Sequence, residues 1–134
     1  MAPTVVIPQT AIRIKNSHTG RLLYDNAGKG LVSWQESTNT DAYWYITPVA
    51  DKVYKIKNQL TGNCIYYNTS VTKPITWQDS ANEDGKWEIV AVTDSTFKLR
   101  NVASPKIFLY DNPTAGVIGY EDNGAADGIW SILH

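Results

Sequence analysis

Three aromatic residues stand at a fixed distance ahead of three carboxylates: Trp34 before Asp41, Trp77 before Asp84 and Tyr120 before Asp127, each pair seven residues apart. An aromatic face stacks against the C–H side of a ring, while a carboxylate accepts hydrogen bonds from hydroxyls on its rim. Asn39 and Asn82, two residues ahead of Asp41 and Asp84, add amides of the same use, which Ala125 in the third copy does not. Such a set suits a hydroxyl-rich ring, with the third copy expected to differ. Each member also has a structural reading. Strict alternation puts Trp34 on the face of Val32, Trp77 on that of Ile75 and Tyr120 on that of Ile118, which would make all three core residues. Asp followed by Gly, as in Asp84-Gly85 and Asp127-Gly128, is ordinary turn chemistry. The polar residues behind each aromatic, Gln35-Glu36, Gln78-Asp79 and Glu121-Asp122, favour the outward placement.

Other chemistry finds less support. The two histidines, His18 and His134, lie in neither a metal-ligand spacing nor a nucleophile motif. The acids recur with the repeat, as fold-linked features do, so no catalysis, no metal and no cofactor are expected. Ala27-Gly-Lys-Gly30 lacks the spacing of a phosphate loop and reads as a hairpin turn. Cys64, the single cysteine, has no internal disulfide partner and reads as a small buried apolar residue. The sequon Asn68-Thr69-Ser70 matters only in a secreted chain.

The elements that position these residues follow from an internal repeat. Trp44, Trp87 and Trp130 are spaced by 43 residues, each with isoleucine two positions later, at Ile46, Ile89 and Ile132. Trp34, Trp77 and Tyr120 keep the same period, as do Val32, Ile75 and Ile118, and Tyr24, Tyr67 and Tyr110. Each repeat opens on alternating apolar and basic residues ending in asparagine: Ile12-Arg-Ile-Lys-Asn16, Tyr54-Lys-Ile-Lys-Asn58 and Phe97-Lys-Leu-Arg-Asn101. The asparagines are 42 and then 43 residues apart, so one residue has been lost or gained before the tyrosine. Helical periodicity is nearly absent, and turn residues interrupt the chain every few positions. About four strands per repeat are expected, in the first at 11–16, 21–25, 30–35 and 43–49, giving about twelve in an all-β body. Three four-stranded blades are too few for a propeller, whereas three-fold closure into a β-trefoil fits, with repeats at about 10–50, 51–93 and 94–134. Trp44, Trp87 and Trp130 would then fill its interior.

On these motifs residues 10–134 resemble the ricin-B-type trefoil lectins, most closely the small fungal members. Asn16-Ser-His-Thr-Gly20 and Asn58-Gln-Leu-Thr-Gly62 match the family's opening turn, and the aromatic-to-tryptophan spacing of ten residues is kept in all three copies. Asn101-Val-Ala-Ser-Pro105 departs from it. Where the family carries Asn-Gln-x-Trp, this chain has Asp41-Ala-Tyr-Trp44, Asp84-Gly-Lys-Trp87 and Asp127-Gly-Ile-Trp130, so every copy lacks the glutamine. The resemblance implies a sugar-contacting acid on the first hairpin of each repeat. Tyr24, Tyr67 and Tyr110 compete for that place with Asp25, Asn68 and Asp111 one residue on, and a shift of one residue reverses the face. The implied sites are therefore Asp25, Trp34 and Asp41; Asn68, Trp77 and Asp84; and Asp111, Tyr120 and Asp127, with Asn39 and Asn82 beside them.

With 134 residues, 43% of them hydrophobic and 19% charged, the chain has the balance of a single globular domain. A net charge of −1 provides no positive field for nucleic acid, and no stretch is long enough for membrane insertion. MAPTVVIPQT has no basic n-region and is broken by Pro3 and Pro8, so it does not read as a secretory signal; a cytoplasmic or unconventionally secreted protein is expected. The expected function is glycan binding, with galactose-type and mannose-type sugars both open and the protein a monomer or homodimer. Shallow single sites of this kind bind in the range of about a millimolar, so several are needed together. The competing expectation is a protein-directed trefoil, such as a protease inhibitor or the lectin-like accessory subunit of an enzyme.

Overall fold

Twelve strands make up the chain, four per repeat, in the computed structural model, which describes residues 3–134. The first two residues of the N-terminal segment read above lie outside it. The first repeat carries β1 (Arg13–Asn16), β2 (Leu22–Asn26), β3 (Gly30–Trp34) and β4 (Trp44–Ala50). The second carries β5 (Val53–Asn58), β6 (Cys64–Asn68), β7 (Lys73–Trp77) and β8 (Trp87–Ala91). The third carries β9 (Thr96–Asn101), β10 (Ile107–Asn112), β11 (Gly116–Glu121) and β12 (Trp130–Leu133). One 3₁₀ turn interrupts each repeat, at Thr40–Ala42, Glu83–Gly85 and Ala126–Gly128. Among the described residues no helix is long and apolar enough to cross a membrane, and no group of three metal-ligating side chains gathers.

Six strands form a ring. Antiparallel ladders join β1 to β12, β12 to β9, β9 to β8, β8 to β5 and β5 to β4, and a bridge between Ile12 and Trp44 returns β4 to the chain ahead of β1. The other six strands pair as the hairpins β2–β3, β6–β7 and β10–β11, hung on β1, β5 and β9. The opening strands alternate as read: along β9, Phe97, Leu99 and Asn101 are buried while the residues between them are half-buried. Trp44, Trp87 and Trp130 are fully buried where barrel and hairpins meet. Each indole Nε1 donates to a backbone carbonyl of its own repeat's hairpin, at Leu23 (3.0 Å), Ile65 (2.9 Å) and Leu109 (2.9 Å). The indole thus removes a large apolar area from water while its one donor stays paired. Val5 and Ile7 of the N-terminal segment pack on the same core.

Ladder register corrects one equivalence. Leu22 pairs with Trp34, Cys64 with Trp77 and Phe108 with Tyr120, so Tyr24 and Tyr110 correspond to Tyr66, and Tyr67 takes the place of Asp25 and Asp111. The residue missing before Asn58 is restored only in the β6–β7 turn, where four residues separate Asn68 from Lys73 and three separate Asn26 from Gly30. Every position between those two points is displaced by one from the 43-residue period. Asn68 accordingly matches Asn26 and Asn112, whose Oδ1 atoms cap their hairpin turns by accepting backbone N–H groups.

Cys64 is buried, as expected, beneath the hairpin of the second repeat. Loss of water pushes its thiol from 9.0 up to about 11, and the nearby Asp79 carboxylate adds to the effect. In the native protein at pH 8 iodoacetamide is expected to leave Cys64 unmodified, with stoichiometric labelling only after unfolding in guanidinium; rapid native labelling would contradict this burial. Because the folded state holds the protonated form, the associated stability is complete below pH 9 and is lost as pH rises through about 11.

Candidate functional site

The β6–β7 hairpin and the 3₁₀ turn Glu83–Gly85 enclose an open hollow of about 480 Å³, within the range of small-ligand sites. Asn68, Trp77, Asn82 and Asp84, four residues read from the sequence, all line it. Trp77 stands at its rim with 63% of its surface exposed, and Trp34 (64%) and Tyr120 (56%) are as open in their own repeats. The core reading of these aromatics therefore does not hold. The hairpins cap the barrel from outside, and the face shared by Val32 and Trp34 is covered only part way: Val32, Ile75 and Ile118 are half-buried and the aromatics stand beyond them.

Tyr66 lines the same hollow, and the 43-residue period missed it by one position. Its hydroxyl donates to the Gln78 carbonyl (2.7 Å) and lies 2.9 Å from Ser80 Oγ. Tyr24 repeats this with the Gln35 carbonyl and Ser37, and Tyr110 with the Glu121 carbonyl and Asn123. A Cβ on Gly85 would lie 2.5 Å from the Tyr66 ring, and one on Gly128 2.7 Å from that of Tyr110. The ring thus occupies the space beside the position where a resembling lectin carries glutamine. The 42-residue step from Asn16 to Asn58, carried forward, would have found Tyr66 from Tyr24.

Asp41, Asp84 and Asp127 each sit in the 3₁₀ turn of their repeat, partly buried. In all three, Oδ1 is shut off from solvent and has no hydrogen-bond partner. A carboxylate oxygen in that state lacks the donors that normally offset its loss of water. The asparagine closing each opening strand holds the turn in place. Asn58 Nδ2 donates to the Asp41 carbonyl (2.9 Å), Asn101 to that of Asp84 (3.0 Å) and Asn16 to that of Asp127 (2.9 Å), each reaching the turn that precedes its own strand around the ring. Asn58 Oδ1 also accepts the backbone N–H groups of Leu60 and Thr61. Asn58→Ala strands all of these groups in a buried place and is expected to cost about 2–3 kcal/mol in urea unfolding; a loss below 0.5 kcal/mol would refute the clamp.

Asp25 and Asp111 are elsewhere. Both are buried between repeats and do not open into a hollow. Asp25 accepts hydrogen bonds from Thr61 Oγ1 (2.5 Å), Asn63 Nδ2 (3.1 Å) and Thr76 Oγ1 (2.7 Å) of the second repeat. Asp111 accepts from Thr19 Oγ1 (2.5 Å), Ser33 Oγ (2.6 Å) and the Arg21 guanidinium (3.0 and 3.1 Å) of the first. Their strand face, one residue beyond the tyrosine, turns toward the neighbouring hairpin. Between the second and third repeats the same place holds Tyr67, and a Cβ on Gly119 would lie 2.5 Å from its ring.

The polar residues behind the aromatics also serve the frame. Lys55 reaches Asp79 at 2.7 Å, Lys98 reaches Asp122 at 2.8 Å and Lys15 reaches Glu36 at 3.1 Å, tying each hairpin to its opening strand. The hydrogen bond from Lys55 lowers the Asp79 pKa and in turn raises that of Lys55; Lys98 likewise lowers Asp122.

A three-fold all-β frame, with an open hollow in the second repeat and an exposed aromatic and a 3₁₀-turn carboxylate at the equivalent places of all three, defines a β-trefoil of lectin type. The family described as ricin-type β-trefoil lectin domain-like matches residues 5–73 and again 44–130, and the chain belongs to it. No curated protein matches the chain by sequence. Among solved structures, the designed three-fold symmetric protein ThreeFoil is similar over 92% of this chain and 98% of its own, with 17% identity and a TM-score of 0.83. The Polyporus squamosus lectin, bound to a human-type influenza-binding epitope, is similar over 95% of this chain and 49% of its own, with 16% identity and a TM-score of 0.81. SeviL, bound to asialo-GM1 saccharide, is similar over 94% and 98%, with 18% identity and a TM-score of 0.78. At these identities the likeness is one of fold.

Proposed function

We propose that the protein binds glycans, without turning them over, through the hollow of its second repeat and the equivalent places of the other two. The observation that carries this reading is the hollow of the second repeat, which Asp84 lines beside the exposed Trp77, with an exposed aromatic and a partly buried aspartate recurring at the same places of the other two repeats. A saccharide fits that arrangement, with hydroxyl donors for the carboxylates of Asp41, Asp84 and Asp127 and a C–H face for Trp34, Trp77 and Tyr120. Asn82 extends the polar wall of the second hollow, and Asn39 stands at the same place in the first repeat. In the third, Tyr120 packs edge-on to Tyr110 with ring centroids 6.3 Å apart, and Ala125 replaces the amide, so weaker binding is expected there. The Polyporus squamosus lectin and SeviL, similar in fold and each seen with a bound saccharide, and membership of the ricin-type family, support the same reading. Among the residues lining the second hollow Asp84 is the one carboxylate, whereas glycoside hydrolysis ordinarily uses a facing pair.

A glycan array probed with the purified protein, followed by crystal soaks with the best ligand, tests the proposal. Density for a ring against Trp77 and within hydrogen-bonding distance of Asp84 is expected. Absence of binding to any glycan, or a ring bound away from Trp34, Trp77 and Tyr120 alike, would overturn it.

A further inference from the structure

We infer that the hollow of the second repeat sorts saccharides by charge: it accepts neutral rings and amino sugars with a free ammonium group, and it discriminates against rings bearing a carboxylate. The inference rests on the glycan-binding reading above and concerns what kind of ring enters. Among the described residues lining the second hollow, Asp84 is the one side chain charged at neutral pH; the others are hydroxyls, amides, aromatic rings and Ile75. The basic residues of the flanking elements are engaged or turned away. Lys55 and Lys57 lie 2.7 and 3.5 Å from Asp79, and Lys86 lies 3.0 Å from Glu83. Lys73, opposite Asn68 in the hairpin ladder, is exposed and does not line the hollow.

The sign of the charge is kept where other features change. Asp41 and Asp127 repeat the unpartnered oxygen of Asp84. Glu121 in the third repeat stands at the place of Gln35 and Gln78, adding a second acid on the side where the aromatic is smaller and the amide is lost. Lys15 and Lys98, on the opening strands below, are taken by Glu36 and Asp122. A ligand carboxylate about 6 Å from Asp84 near the protein surface meets a repulsion worth roughly tenfold or more in affinity, and salt screens part of it. An ammonium group at the same place is attracted by the carboxylate and by the face of Trp77.

The test isolates one hollow. A chain carrying Trp34→Ala and Tyr120→Ala keeps the second site, and its affinity for three matched series is measured by ligand-observed NMR: galactose, galactosamine and galacturonate; glucose, glucosamine and glucuronate; mannose, mannosamine and mannuronate. Within the series that binds, the uronate is expected to bind at least tenfold more weakly than the neutral sugar in 20 mM salt and the amino sugar at least as tightly, with the gap narrowing in 500 mM salt. Adding Asp84→Asn, which preserves shape, is expected to shrink the gap below threefold. A uronate that matches its neutral parent in the unsubstituted hollow overturns the inference while glycan binding stands, and so does a gap unmoved by both salt and Asp84→Asn. If the unsubstituted protein binds neither these sugars nor any glycan on the array, the glycan-binding reading fails and the charge rule with it.

Discussion

Replacing Trp34 and Trp77 together by alanine is expected to lower binding to a densely glycosylated surface by about 10²–10⁴-fold while the protein melts within a few degrees of its parent. The two effects separate because both indoles are largely exposed, at 64% and 63%, so the native state loses little packing when they go. Surface substitutions of this kind stay within about 0.5 kcal/mol. A single shallow site with a millimolar constant contributes only about −4 kcal/mol, and dwell time on a surface comes from simultaneous engagement of several. Removing two of three sites leaves the weakest, and the avidity goes with them. Surface plasmon resonance at low and high glycan density reads the difference: the loss should be steep at high density and shallow at low density. Unchanged binding at both densities would show that the aromatics are not the contact. Tyr120→Ala, by contrast, also removes an edge-on contact with Tyr110 and should cost slightly more stability.

Asp111→Ala should destabilise the protein by about 3–5 kcal/mol, a fall in Tm on the order of 10 °C. The carboxylate is fully buried and receives three side chains from the first repeat, of which Arg21 is itself only 29% exposed. Deleting it leaves a guanidinium and two hydroxyls facing a cavity. Asp25→Ala is expected to cost about 2–4 kcal/mol, since its three partners are neutral and no cation is stranded. The remaining seam shows that an apolar solution exists, because Tyr67 fills the same place against Gly119 without an acid. Asp25→Tyr combined with Thr76→Gly copies that pairing and should recover more than half of the loss caused by Asp25→Tyr alone. Guanidinium titrations of the four chains measure this directly. No recovery in the double variant would mean that the two seams are not interchangeable.

How far the fold could be read in advance follows from what a period can carry. Trp44, Trp87 and Trp130 recur at a strict 43-residue spacing because each occupies one symmetric place in a close-packed interior, which tolerates no drift. From those three residues the three-fold all-β body follows. The hairpins are looser, and a residue lost in one turn can be restored in the next, so Tyr67 lined up with Tyr24 and Tyr110 by count while Tyr66 lined up by pairing. That slip of one residue also hid the separation between Asp25 and Asp111, which join repeats, and Asn68, which caps a turn at the rim of a hollow. Trp77, Asn82 and Asp84 were legible as a group because they follow the point where the period recovers. Whether Trp34 faced in or out was not, because alternation names a face and leaves open what covers it, and here the cover stops at Val32.

The ring closes through β1 and β12, which pair Arg13 with Leu133 and Asn16 with Trp130. This ladder joins the strands farthest apart in the sequence, β1 and β12, and loop-closure entropy makes such distant pairing slow. Leu133 at the end of β12 lies opposite Arg13 at the start of β1. A peptide bridge there, with the backbone opened at the exposed turn following Asn68, would give a permuted topology with every ladder intact and would move the slowest pairing event to another pair of strands.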